Sequence, residues 1–192
     1  STDYVLGGDL DVSKDYKEDD AKAPVTAYGK TKLHGEQGIE ENMDEYYIFR
    51  TAWLYGVGGN NFVKTMTKLG STRDEINVVA DQHGSPTYAK DLTEIIYQAI
   101  KKNIPFGIYN ATNEGYTTWY EFTKEILAEQ GIECKVNPVT TEEYIEMMKI
   151  TQAKRPFNSQ MSKSKLEVCG IKIPDWKDGL KRYLEETKNM TI

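Results

Sequence analysis

Tyr28-Gly29-Lys30-Thr31-Lys32 lies inside a run, Ala27 to Met43, that reads as a helix. A spacing of four puts the Tyr28 phenol and the Lys32 ammonium on one helical face, one turn apart. A cation held that close favours the tyrosinate and lowers a phenol pKa that is about 10 when unperturbed. A tyrosine so tuned can deliver a proton to a carbonyl oxygen and take it back in the reverse direction. The pair alone is a weak signal, and its surroundings decide its meaning.

Upstream, Ser1-Thr2-Asp3-Tyr4-Val5 runs from polar to apolar and reads as the exit of a buried strand. A hydroxyl placed there can hydrogen-bond the same carbonyl oxygen that the phenol would protonate. Open α/β sheets bind ligands at the carboxyl ends of their strands. Thr2, Tyr28 and Lys32, in that order, resemble the catalytic set of the short-chain dehydrogenase/reductase superfamily in its extended, nucleotide-sugar branch. Further blocks resemble the dTDP-4-dehydrorhamnose reductase family within it: Arg50-Thr51-Ala52-Trp53-Leu54-Tyr55-Gly56, Asn61-Phe62-Val63 and Asp81-Gln82-His83-Gly84-Ser85-Pro86-Thr87. Gly115-Tyr116-Thr117-Thr118-Trp119-Tyr120-Glu121-Phe122 and Arg155-Pro156-Phe157-Asn158-Ser159 continue the likeness in the family's order. Two departures stand out. Asp15 replaces a proline before Tyr16, and Ala52 replaces the usual serine before Trp53.

The resemblance implies reduction of dTDP-4-dehydro-L-rhamnose to dTDP-L-rhamnose with NADPH or NADH, in the making of cell-surface polysaccharide. Tyr28 is then the proton donor, Lys32 sets its acidity, and Thr2 binds the 4-keto oxygen. Tyr28 and Lys32 would also contact the nicotinamide ribose. Asp3, Trp53, Asn61, Gln82 and Arg155 become substrate-binding candidates beside Thr2. Each has a plainer reading. Asp3 can cap a loop, Trp53 can fill core, and Arg155 can pair with a surface carboxylate rather than fork onto phosphate oxygens. Trp119 and Phe122 read as core. Two rivals stay open: a nucleotide-sugar epimerase or dehydratase, and a non-catalytic regulatory subunit similar to that of methionine adenosyltransferase.

Bulk properties narrow the field. A net charge of −6 over 192 residues, with no dense Lys/Arg block, argues against a nucleic-acid surface. No apolar run approaches the roughly 20 residues needed to cross a bilayer. Cys134 and Cys169 lie far apart without metal-ligand spacing and read as reduced residues of a cytoplasmic protein. His34 and His83 have no metal-ligand companions, and no metal site is expected among these residues; a bridging Mg²⁺ and a homodimer are left open. No strand is followed by a glycine-rich dinucleotide turn. The expectation is the C-terminal part of a Rossmann-type α/β protein, lacking most of its dinucleotide-binding half and binding NADPH poorly by itself.

The remaining pattern alternates strands and helices, which argues for α/β layers. Strands are expected at Tyr47–Thr51, Ile76–Ala80, Gly107–Ala111 and Lys135–Pro138, and loops at Gly7–Asp20, Asp81–Thr87 and Thr151–Gln160. Helices are expected at Asn61–Leu69, Asp91–Lys101, from Thr117 or Thr118 to Gln130, and at Thr141–Met148, Lys163–Val168 and Trp176–Thr187. Leu92, Ile95, Ile96 and Ile100 would form the buried face of the second of these. Residues 1–112 then form the rest of the Rossmann-type unit with Thr2, Tyr28 and Lys32. Residues 113–192 form a helix-rich substrate-binding portion.

Overall fold

A computed structural model describes residues 1–151 and 153–188; the loop and tail expectations at 152 and 189–192 lie outside the described residues. Two parallel ladders run through the molecule. β1 (Tyr47–Arg50) pairs with β6 (Gly107–Asn110), and β3 (Glu75–Val79) pairs with β8 (Lys135–Val139). Thr2 extends the first ladder through a parallel bridge to Thr51, and a 3₁₀ turn at Asp3–Val5 follows at once. The opening stretch therefore leaves a strand position as expected, but it curls after a single bridge.

Helix α1 (Ala27–Asn42) begins where Thr26 accepts a hydrogen bond from the Gly29 amide at 3.0 Å, which satisfies an otherwise orphaned donor. It is mostly exposed, with Gly29 and Glu36 its buried residues. Glu36 faces Arg50 of β1 in a buried fork: Arg50 Nε donates to one carboxylate oxygen at 2.9 Å and Nη2 to the other at 2.6 Å. Arg50 Nη1 also donates to the Glu18 carbonyl at 3.0 Å. Both charges are out of water, so the bidentate geometry is what makes their burial tolerable. Gly29 is pressed against the 3₁₀ turn; a Cβ there would sit 2.2 Å from the Tyr4 carbonyl oxygen.

Helices α2 (Phe62–Gly70) and α4 (Trp119–Glu129) pack beside β3, capped by Asn61 and Thr118. With α7 (Trp176–Thr187) and the short parallel pair β2 (Leu54–Tyr55) and β5 (Thr87–Tyr88), they enclose an aromatic core of Tyr55, Tyr88, Phe122, Trp176 and Tyr183. Helix α3 (Ala89–Lys101) buries Asp91, Ile95 and Ala99. Ile100, expected on that face, is instead 61% exposed. The buried stripe follows steps of four, and Arg182 draws Asp91 inward with two bonds of 2.7 Å. The stretch Asp81–Thr87, expected as loop, contains β4 (His83–Gly84), paired antiparallel with β7 (Thr117–Thr118), and the start of β5. Helices α5 (Thr141–Met148) and α6 (Ser164–Val168) complete the described elements.

The segment 156–162 acts as a strap. Asn158 Nδ2 donates to the carbonyls of Leu10, Asp11 and Lys14 at 3.2, 3.2 and 2.9 Å, and Gln160 Nε2 donates to that of Val12 at 2.9 Å. The loop Gly7–Asp20 thus gains from Asn158 the rigidity that a proline at position 15 would have supplied; Asp15 itself accepts a bond from the Tyr116 hydroxyl at 2.8 Å.

Candidate active site

Three parallel strand positions deliver residues to one cleft. Asp3 follows the Thr2–Thr51 bridge, Trp53 follows β1, and Gln82 follows β3. Such carboxyl-end crevices are where open α/β sheets bind ligands. Asp3, Trp53, Gln82 and Arg155 line a cavity of about 210 Å³ together with Tyr4 and Trp119. A second cavity of about 400 Å³ adjoins it, sharing Gln82, Trp119 and Arg155 and walled by Phe62, Met66 and Tyr144. The first is smaller and sets a carboxylate, a phenol and a guanidinium among aromatic walls. The second is wider and largely apolar. Arg155 stands where the two meet.

Trp53 is held in the left-handed region, at φ 50°, where a bulky residue is strained. Its indole stacks on Trp119 with ring centroids 3.7 Å apart and planes 14° from parallel. Gly84 lies beneath: a Cβ there would come within 2.8 Å of the Trp53 ring. Trp119, read from sequence as core, does pack against the core at its edge, yet it also walls both cavities.

Asp3 is buried, and both its carboxylate oxygens are engaged. Thr2 Oγ1 donates to one at 2.8 Å, and Ser159 Oγ donates to the other at 2.6 Å. Burial pushes the Asp3 carboxyl above the ordinary range, and the two hydroxyls only partly offset it. Thr2 in turn caps the 3₁₀ turn by accepting from the Tyr4 amide at 3.3 Å. Tyr4 joins the two halves of the site: its ring meets Tyr28 edge-on with centroids 5.5 Å apart, and it lines the smaller cavity. Burial raises the Tyr4 phenol, Arg155 opposes this, and Asp3 and Tyr28 add to it.

Tyr28 and Lys32 share a face of α1 as the spacing requires, with Lys32 Nζ 5.8 Å from the Tyr28 ring centre. Tyr28 is 51% exposed. Thr2, Tyr28 and Lys32 do not wall either cavity themselves; Asp3 and Tyr4 do so beside them. Asn61 is placed elsewhere. Its carbonyl caps α2 through the Lys64 amide at 3.0 Å, and its amide donates to the Gly56 carbonyl at 2.8 Å and to Tyr183 at 3.3 Å. An asparagine just before an apolar helical run is the signal for that role. Tyr4, Tyr144 and Ser159 line the cleft without having been singled out from sequence, and Trp119 lines it although the sequence reads it as core. Among the described residues no cluster of His, Cys, Asp and Glu could hold a metal ion, and no helix is long and apolar enough to cross a membrane.

The parallel α/β layers have the Rossmann-like fold of the extended short-chain dehydrogenase/reductases, with a Tyr-x-x-x-Lys helix beside a strand-end cleft. Residues 1–189 match the RmlD substrate binding domain, and the chain belongs to that family. It is 44% identical to the spore coat polysaccharide biosynthesis protein SpsK of Bacillus subtilis over 97% of its length and 62% of the relative's. It is 39% identical to dTDP-4-dehydrorhamnose reductase of Escherichia coli over 97% of its own length and 64% of that protein's. The crystal structure of dTDP-4-dehydrorhamnose reductase from Bacillus anthracis in complex with NADP superposes with a TM-score of 0.87 at 43% identity, over 97% of this chain and 64% of that one. The chain thus spans a little under two thirds of these relatives.

Proposed function

We propose that this chain carries the substrate cleft and the acid–base residues of a reductase that converts dTDP-4-dehydro-L-rhamnose to dTDP-L-rhamnose for cell-surface polysaccharide. The observation that carries this reading is the pair of joined cavities meeting at Arg155. The smaller chamber, with a carboxylate and hydroxyls against an indole face, suits a deoxysugar, the wider and more apolar chamber suits a pyrimidine nucleoside, and a guanidinium on the wall they share suits the diphosphate. The names of the relatives support the same substrate.

At the edge of that cleft, beside Tyr4, Tyr28 delivers the proton to the C4 oxygen, and Lys32 stabilises the phenolate left behind. The exposed ammonium and phenol on one helical face also form a donor set fitted to a nicotinamide ribose. NADPH or NADH, when bound, supplies the hydride. Thr2 has its hydrogen turned to Asp3, so it can donate to the substrate oxygen only when that hydrogen swings away or when Asp3 holds a proton of its own. Trp53 and Trp119 present an aromatic wall to the sugar and exclude water. Residues 1–112 supply the acid–base set and most of the cleft wall, and Trp119, Tyr144, Arg155, Pro156 and Ser159 supply the rest.

Titration of the chain with dTDP, followed by tryptophan fluorescence, tests this reading. Two of its three tryptophans wall the cleft, so saturable quenching is expected and Arg155→Ala should weaken it. A folded chain that shows no dTDP binding by fluorescence or calorimetry would refute the proposal.

A further inference from the structure

A line of hydrogen bonds reaches from the cleft to the start of α5. Trp119 Nε1 donates to Gln82 Oε1 at 3.1 Å, Gln82 Nε2 donates to Thr141 Oγ1 at 2.9 Å, and Thr141 Oγ1 donates to Asp81 Oδ1 at 2.7 Å. The other Asp81 oxygen accepts the Thr141 amide at 2.9 Å. The two ends fix the direction of the whole line. An indole N–H can only donate, so the Gln82 oxygen must face Trp119 and its amide nitrogen must face Thr141. An ionised carboxylate can only accept, so the Thr141 hydrogen must point to Asp81 and its lone pair to Gln82. No member can turn over without breaking a bond, and chains of this kind polarise one another.

We infer that Thr141, anchored by Asp81, is a positioning residue for the cleft. It holds the Gln82 amide, which holds the Trp119 indole against Trp53, and thereby sets the wall shared by the two cavities. Thr141 itself walls neither cavity. Its influence on a ligand passes through Gln82 and Trp119. The strained backbone of Trp53 is the physical reason such a support is needed. A residue at φ 50° stays in place only where its surroundings over-determine it, and the close stack on Trp119 is one of the contacts that hold Trp53.

The inference deepens the nucleotide-sugar reading and rests on it for its ligand. Three variants test it. Thr141→Val keeps the shape and removes the hydroxyl, and Thr141→Ser keeps the hydroxyl. Thr140→Ala removes the capping box between Thr140 and Glu143, loosening the same helix end without touching the line. In the ligand-free chain, Thr141→Val should reduce the near-ultraviolet circular dichroism of the stacked indoles, while Thr141→Ser restores it. With dTDP as probe, Thr141→Val should raise the Kd about three- to tenfold, the span expected for one broken hydrogen-bond line. Thr141→Ser and Thr140→Ala should stay near wild type. An unchanged indole signal in Thr141→Val overturns the inference, as does a Thr140→Ala effect equal to that of Thr141→Val. If the wild-type chain binds no dTDP, the substrate reading fails by itself. The ligand-free spectra still decide the inference.

Discussion

Gly29→Ala sets two opposed effects against each other inside one helix. In an ordinary helix interior, alanine is favoured over glycine by about 1 kcal/mol, because glycine loses more backbone freedom on folding. Gly35 and Gly38 are such positions, exposed and with nothing within 4 Å of an added Cβ. At Gly29 the same methyl would lie 2.2 Å from the Tyr4 carbonyl oxygen and 3.0 Å from the Pro24 Cβ. An ordinary C···O contact is roughly 3.3 Å or longer, so the helix and the 3₁₀ turn must part by about 1 Å. Neither obstructing group is the free end of a flexible side chain. Overpacking of this kind costs about 1–3 kcal/mol, and a backbone obstacle belongs at the upper end. Subtracting the propensity gain leaves a net loss of about 2 kcal/mol for Gly29→Ala. Gly35→Ala and Gly38→Ala should each gain about 0.5–1 kcal/mol.

Urea unfolding read by far-ultraviolet circular dichroism measures all three variants on one scale. For a chain of this length each kcal/mol moves the melting temperature by about 2–4 °C, so Gly29→Ala should melt about 4–8 °C below wild type. The 3₁₀ turn that must move carries Asp3 and Tyr4, both walls of the smaller cavity, so dTDP binding should weaken as well. A Gly29→Ala chain as stable as Gly35→Ala would show that the turn is not seated on the helix, and the link between Tyr28 and the cleft would go with it.

Two further perturbations bear on the supports of the site. Glu36→Gln should destabilise the chain by about 3 kcal/mol at neutral pH, because it leaves the buried Arg50 charge without its partner. Burial works against the Glu36 charge, but the Arg50 fork together with the Ser1 ammonium outweighs it, so Glu36 titrates below the usual glutamate range. A depressed carboxylate pKa contributes stability above the unfolded value that is lost as pH falls through the folded one. Unfolding midpoints measured from pH 7 to pH 3 should therefore drop more steeply for wild type than for Glu36→Gln; parallel curves would contradict this. Asn158→Ala frees three carbonyls of the loop Leu10–Lys14 and should cost about 1–3 kcal/mol. Limited proteolysis should then cut within that loop first, and an unchanged cleavage pattern would deny Asn158 its role as a strap.

Legibility from sequence followed the range of the contacts involved. Helix α1 could be read locally, since Thr26 caps it and Tyr28 and Lys32 are separated by one turn. The main strands and helices carried their own period and emerged within a residue or two of their expected limits. The two-residue strands β2, β4 and β5 are too short to show a period, and their pairing partners lie 33 residues or more away in the chain. Trp119 opens an apolar helix, and a sequence pattern cannot separate a wall of the core from a wall of a cleft. What decides is Trp53, 66 positions earlier, stacked upon it. Asn158 reads as one polar residue in a polar loop because the carbonyls it holds lie 144 to 148 positions upstream. Gly29 shows the same limit within the most legible stretch of all. Tyr28 and Lys32 are explained by their spacing, whereas Gly29 is explained by the Tyr4 carbonyl that crosses above it. The five-residue motif therefore does two things at once: it presents a phenol and an ammonium on its outer face and, on its inner face, seats the turn that follows Thr2.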